Sequence, residues 1–238
     1  MGELGFGYGG EWHLLRYLGR HRRALDAAVK KTMPDVREIE WFDFRFSPNN
    51  GRLDGELRGV EFLMDDEPAK LKWPSFWPSR GNVPNWDAVA LLTTQSNDLV
   101  WMLVEAKAHL GELASSCQAK EAGGLEVIQT ALRETKTAMG VHPARDWINA
   151  YYQHANRLAV LHHFNKHGPP SARLLNIYFL GDKNPHAKCP TTWDEWGPAL
   201  EAREQHLGLN HRSDLEKQVY SMFLPVCGDN SNYGGVRT

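Results

Sequence analysis

The chain has 238 residues, of which 42% are hydrophobic and 24% are charged, and its formal net charge is −2 at pH 7. This composition is typical of a soluble globular protein, and the length suits one large domain or two small ones, of which we expect one. The near-neutral charge excludes a surface coated with basic residues for nonspecific nucleic-acid binding, although a local basic groove is compatible with it.

The sequence also indicates in which cellular compartment the protein is expected. The longest uninterrupted apolar run, residues 99–104, is far too short to span a bilayer, so no membrane segment is predicted. The first residues lack the basic opening and hydrophobic stretch of a secretory signal, which favours the cytoplasm. Cys117, Cys189 and Cys227 have no CxxC spacing, so we expect reduced thiols and no structural zinc site.

Helical and strand patterns alternate in the first half of the chain. Helical spacing of apolar residues predicts a helix at about 11–31, and period-two alternation predicts a strand at 36–46. A second strand is predicted at 57–64, after a turn at 48–51. Residues 65–86 are expected to form a long loop rich in tryptophan and proline, because prolines interrupt regular structure there.

The second half begins with a hairpin. Two apolar runs, residues 88–92 and 99–107, are joined by the turn-forming sequence TTQSND. The remaining predicted elements are helices at 125–139 and about 144–167, a buried strand at 172–182, a helix at 192–207, a helix or strand at 213–224 and a flexible tail at 228–238. This order predicts a single α/β domain over residues 1–227, with a mixed central sheet flanked by helices.

A Glu-x-Lys sequence closes the most apolar run of the chain. Side chains two apart on a strand point to the same side, so Glu105 and Lys107 share one face. A turn centred on Ser96 places Asp87 directly across from Glu105, at a Cβ separation of about 4.5–5.5 Å. Like charges at that distance are destabilising unless a cation separates them, and carboxylates select hard ions such as Mg²⁺ or Mn²⁺. The residues therefore predict a divalent metal site.

Lys107 beside such an ion is placed to stabilise developing negative charge or to help activate the attacking water. A single Glu-x-Lys in a strand is more often a solvated edge or a surface ion pair. The position of Asp87 favours the functional interpretation, because three titratable residues then converge on one face.

These residues resemble a known family. The sequence NWDAVALL, followed eighteen residues later by VEAKA, is similar to the active-site strands of the PD-(D/E)xK nuclease superfamily, which has the restriction-endonuclease-like fold. The resemblance implies that Asp87 and Glu105 bind the metal, that the carbonyl of Ala106 adds a ligand and that Lys107 is the catalytic lysine. It also implies a core of helix, three strands, helix and strand, with the segment at 65–86 as an insertion.

The resemblance extends to two helices. GEWHLLRYL, from Gly10, is similar to the first-helix motif of Holliday-junction resolvases and related members, which implies that Glu11 is a metal ligand; an acid that complements the helix dipole is the alternative. Some members carry glutamine and, four residues later, tyrosine in the helix after the lysine strand. Here Gln153 is followed by Arg157, and Asn156 lies on the same face of the predicted helix. This partial match implies that Gln153 and Arg157 bind substrate, and a solvated helix face is the preferred alternative. The chain departs from the family in having no proline before its aspartate.

Two other groups have alternative interpretations. His163 and His167 have zinc-binding spacing without an acid between them, and favourable placement near a helix end is the preferred explanation. Aromatic residues near 72–86 either stack on unpaired bases or pack in the core: Trp73, Phe76, Trp77 and Trp86.

The sequence thus predicts a metal-dependent nuclease that hydrolyses phosphodiester bonds, with DNA as the favoured substrate and Mg²⁺ or Mn²⁺ as the cofactor. A nuclease-like protein that binds nucleic acid or acts as a scaffold without chemistry is one alternative, and a hydrolase of small phosphate esters is another. The sequence leaves open whether cleavage is internal or terminal, the strandedness of the substrate and the formation of a homodimer.

Overall fold

A computed structural model of the chain describes residues 7–42, 57–78, 81, 83–121, 124–210 and 213–226. Its elements in chain order are α1 (Gly10–Arg20), α2 (Arg22–Thr32), β1 (Val36–Phe42), β2 (Leu57–Arg58), α3 (Pro68–Phe76), β3 (Asn85–Trp86), β4 (Ala88–Thr94), β5 (Leu99–Lys107), α4 (Leu125–Met139), α5 (Tyr152–His167), β6 (Ser171–Leu180), α6 (Trp193–Leu207) and β7 (Val219–Pro225). None of the helices in these ranges is long and apolar enough to cross a membrane.

Five strands form a mixed sheet in the order β1-β4-β5-β6-β7. The pairs β1–β4 and β4–β5 are antiparallel, whereas β5–β6 and β6–β7 are parallel. The short strands β2 and β3 pair separately. The predicted α/β class with a mixed central sheet is confirmed.

Helices cover both faces of the sheet, and the alternation of side chains along β5 decides which residues each face receives. Val104 and Ala106 belong to the core under α1 and α2, whereas Leu103 belongs to the core under α3, α4 and α5. Glu105 and Lys107 therefore face α5, at the end of the strand.

The hairpin of β4 and β5, helix α4 and helix α6 follow the predicted bounds closely. The strand predicted at 172–182 is β6, and the ambiguous segment at 213–224 ends in β7. Of the strand predicted at 57–64, only β2 is extended, and turns follow it. The predicted turn at 48–51, the end of the strand beyond Phe42, Cys227 and the tail at 228–238 lie outside the described residues.

The single helix predicted at 11–31 is wrong, because the structure has two. The break is at His21, whose φ of −123° and ψ of 27° are not helical. The carbonyl of Leu18, which a continuous helix would pair with the next turn, accepts a 2.9 Å hydrogen bond from Nε of Arg22. The Arg22 side chain thus satisfies a carbonyl group at the end of α1, which permits the turn into α2.

The start of the helix predicted at about 144–167 is also wrong, because α5 begins at Tyr152. Oδ1 of Asp146 accepts hydrogen bonds from the amides of Ile148 (2.9 Å) and Asn149 (3.0 Å). Asp side chains that bind the backbone two residues on stabilise turns in competition with helix.

The prediction of irregular structure throughout 65–86 is wrong as well, since α3 and β3 lie within it. Pro68 occupies the first turn of α3, where a proline costs no hydrogen bond, and Pro74 lies inside the helix. Pro74 has no amide hydrogen to donate within the helix, and burial of aromatic side chains in the core offsets this loss. The four aromatics proposed for base stacking are at most 9% exposed: Trp73, Phe76, Trp77 and Trp86. The core-packing alternative is therefore the correct one for them.

Candidate functional site

Asp87 lies just before β4, opposite the end of β5. Ala88 pairs with Val104, and the Asp87 amide donates a 3.2 Å hydrogen bond to the Val104 carbonyl. Continuing this antiparallel register by one residue places Asp87 opposite Glu105. The predicted hairpin register is confirmed. One carboxylate oxygen of Asp87, Oδ2, accepts a 2.7 Å hydrogen bond from the amide of Ala106, which holds this side chain at the strand end.

Glu105 lies between two cations. Its Oε2 accepts a 2.7 Å hydrogen bond from Nε of Arg157, and its Oε1 accepts one from Nζ of Lys107. The glutamate is only 4% exposed. Lys107 also donates to Oε1 of Gln153 at 2.9 Å, so both the acid and the lysine of the Glu-x-Lys sequence are tied to α5.

Arg157 is fixed on several sides. Beyond Glu105, its guanidinium donates to Oδ1 of Asn156 at 2.8 Å and to the carbonyl of Asn85, and it stacks on the Trp86 ring with 4.8 Å to the ring centroid. Arg157 and Asn156 are buried. The solvated helix face that was the alternative for this part of α5 is therefore wrong for these two residues.

The two carboxyl groups have opposite pKa shifts. Burial and the nearby charge of Glu105 raise the pKa of Asp87 to about 7. Burial acts to raise the pKa of Glu105 too, but the charges and hydrogen bonds of Arg157 and Lys107 outweigh it and lower that pKa. Added positive charge beside Asp87 would favour its ionised form. This is the electrostatic setting that a divalent cation would relieve.

The beginning of α1 packs against the end of β5. Gly10 approaches the strand so closely that a Cβ there would lie 2.2 Å from the Ala106 carbonyl oxygen. Glu112 holds this contact, because its Oε1 accepts from the Gly10 amide (3.1 Å) and its Oε2 from the His109 amide (3.0 Å). Glu11 follows in the first turn of α1 and is exposed. Metal binding by Glu11 and by the Ala106 carbonyl stays a prediction.

An open, mainly polar cavity of about 240 Å³ adjoins Asp87. Its polar lining includes Gln153 and Arg157, the predicted substrate-binding residues, together with Asn85 and Asn156. Asn85 was not predicted as a site residue, and Asn156 was expected only as part of the helix face shared with Gln153 and Arg157. The position of Asn85, two residues before Asp87, was the one available signal, whereas Asn156 comes to the site through the buried face of α5.

Within the described ranges, no group of three or more His, Cys, Asp or Glu side chains is arranged to hold a metal ion. Among the described residues, Asp87 and Glu105 are therefore a pair of acidic donors without a third of these residue types. The zinc alternative for His163 gains no support, because its Nε2 lies 2.7 Å from the Ala69 carbonyl and burial lowers its pKa to about 4.

No protein-family model matches the chain, and comparisons with curated proteins and with solved structures gave no match.

Proposed function

We propose that the protein is a metal-dependent nuclease that hydrolyses phosphodiester bonds, with DNA as the favoured substrate. The observation that carries the proposal is the alignment of Asp87 with Glu105 across the hairpin, with Lys107 bonded to Glu105 at the same strand end. We also propose that α1, then β1, β4 and β5, then α5 and β6 correspond to the restriction-endonuclease-like core of helix, three strands, helix and strand.

The donor set fits a hard divalent cation, Mg²⁺ or Mn²⁺. Asp87, just before β4, and Glu105 on β5 supply carboxylate oxygens, and the negative charge of Glu105 raises the pKa of Asp87. When bound there, such an ion supplies Lewis-acid charge for a phosphodiester oxygen. Glu11 and the Ala106 carbonyl are the proposed additional ligands.

The chain's own groups have distinct tasks in this proposal. Lys107 presents an ammonium held by Glu105 and Gln153, which is placed to stabilise charge on the phosphate as water attacks. Arg157 keeps Glu105 ionised and oriented. Gln153 and Asn85 border the open cavity beside Asp87 and supply hydrogen-bonding groups for the sugar-phosphate backbone.

Cleavage of labelled single-stranded, duplex and branched DNA and of RNA, with Mg²⁺ or Mn²⁺, tests the proposal. Asp87→Asn and Lys107→Ala are each expected to lower the rate by about 10²-fold or more. The control is Lys166→Ala, which removes an exposed lysine paired with Glu134 and should leave the rate unchanged. Cleavage that survives both site substitutions would contradict the proposal.

A second candidate function is nucleic-acid binding without hydrolysis. The observation that favours it is that both oxygens of Glu105 already accept hydrogen bonds from cations, so the protein itself offsets that charge. In this case DNA binding would be measurable, no substrate would be cut, and Asp87→Asn would leave DNA affinity unchanged.

A further inference from the structure

A second cavity adjoins Glu105 and Lys107 and extends to α6. Its polar lining includes Gln153 and His154 of α5, Tyr178 of β6 and Arg203 of α6. Tyr178 is the neighbour of Lys107 across the parallel β5–β6 pair, and its hydrogen bond with Arg203 places α6 beside the candidate site. The cavity has a volume of about 20 Å³, which is room for about one water molecule or one oxygen atom of a larger ligand.

Arg203 is the unexplained group in this cavity. It is 5% exposed, and its Nη1 donates to the Tyr178 hydroxyl at 2.8 Å. Its Nη2 forms an ion pair with the carboxylate of Glu204 at 3.7 Å, and its Nε is buried without a hydrogen-bond partner among the described residues. A buried N–H donor without a partner is costly, and an oxygen atom of an anionic ligand would satisfy it.

The carboxylates that line the cavity are already engaged. Glu105 accepts from Lys107 and Arg157, and Glu112 accepts from backbone amides at the end of β5 and the start of α1. The surroundings of His154 are accordingly positive. Burial and the charges of Arg203, Arg157 and Lys107 hold its pKa well below the usual range.

We propose that this cavity, beside Lys107, is an oxyanion subsite in which Arg203 binds an oxygen of a phosphoryl group next to the one that is cleaved. The cavity is too small for a nucleotide, so the rest of the ligand stays outside it. The assignment of the phosphoryl group to nucleic acid depends on the proposed function. The binding of an oxyanion by Arg203 does not depend on it.

Inorganic phosphate is therefore the first probe, because its binding needs no catalysis. We expect millimolar phosphate to shift the Arg203 Nε–H resonance of the wild-type protein in NMR spectra. Arg203→Met should weaken phosphate binding at least about tenfold, as expected for the loss of a charged hydrogen bond. Arg133→Met, which removes an exposed arginine of α4, is the matched control and should bind phosphate as the wild type does.

The wild-type spectrum keeps the test decisive even if Arg203→Met does not fold. An unmoved Arg203 Nε–H signal at saturating phosphate would overturn the subsite, as would equal phosphate affinity in a folded Arg203→Met protein. Either result leaves the cleavage assay, and with it the proposed function, untouched.

DNA substrates then identify the source of the phosphoryl group. Linear DNA with a 5′-phosphate, with a 5′-hydroxyl or with a 3′-phosphate, and circular single-stranded DNA, are compared for their KM in the wild type and in Arg203→Lys. A KM increase confined to one phosphorylated end assigns the subsite to that terminal phosphate, and an equal increase on the circle assigns it to an internal phosphate. Unchanged KM values on all four substrates would contradict a role in substrate binding.

Discussion

Nε of Arg157 on α5 donates a 2.7 Å hydrogen bond to Oε2 of Glu105 on β5, and both side chains are almost completely buried. This pair joins the helix to the sheet at the strand end that carries the candidate site. The same contact that orients the glutamate therefore also contributes to the stability of the fold.

Breaking this pair should be strongly destabilising. Arg157→Met keeps much of the side-chain volume but leaves a buried carboxylate with Lys107 as its remaining cation, and we expect a loss of about 3 kcal/mol in the free energy of unfolding. Urea denaturation at pH 7 measures it. The control is Arg37→Met, which removes an exposed ion pair with Glu38 and should cost less than about 1 kcal/mol. Equal losses in the two variants would contradict the buried-pair argument.

The raised pKa of Asp87 predicts a pH dependence of stability. The folded protein, with a pKa of about 7, holds this proton more tightly than the unfolded chain, whose value is near 3.8. The protonated Asp87 carboxyl therefore contributes its full share to the free energy of unfolding below about pH 4, and this share is lost as the pH rises through 7. Asn has no proton to lose, so without divalent metal Asp87→Asn should gain stability relative to the wild type over this range.

Because Asp87 is half-buried, we expect a relative gain of about 1–3 kcal/mol at pH 8. Unfolding of both proteins in the presence of a chelator, at several pH values, gives the difference directly. Parallel pH profiles for the two proteins would show that the carboxyl group of Asp87 titrates normally.

Two glycines of α1 should respond to substitution in opposite directions. A Cβ on Gly10 would lie 2.2 Å from the Ala106 carbonyl oxygen and 2.6 Å from the Lys107 amide nitrogen, so Gly10→Ala must displace backbone and should cost about 1–3 kcal/mol. A Cβ on Gly19 would meet no atom of the described residues within 4 Å, so Gly19→Ala should stabilise the helix by up to about 1 kcal/mol. Thermal unfolding compares them, and similar effects at both positions would contradict the close packing of α1 on β5.

The hairpin was predictable because its determinants are local. The turn sequence and the two apolar runs fix the register, and the register alone brings Asp87 opposite Glu105. Helix α4 was predictable for a similar reason, since glycines adopt positive φ at both of its ends.

The surroundings of the hairpin were not predictable, because they depend on tertiary contacts. α5 is buried on most sides between the sheet and α3 and α4, so the periodic pattern that suggested a solvated face around Arg157 gave the wrong result. Arg203 reaches the site through α6, about a hundred residues after Glu105, and no motif in the sequence marks it. Such positions follow from packing, which a single sequence does not encode in its periodicity.

Titration calorimetry of Mn²⁺ at pH 8, with the wild-type protein and with Asp87→Asn, tests the proposed metal site directly. We expect the wild type to bind Mn²⁺ and Asp87→Asn, although folded and at least as stable, to lose this binding. A wild-type protein that binds no Mn²⁺, or an Asp87→Asn variant with unchanged affinity, would contradict a metal site at Asp87 and Glu105.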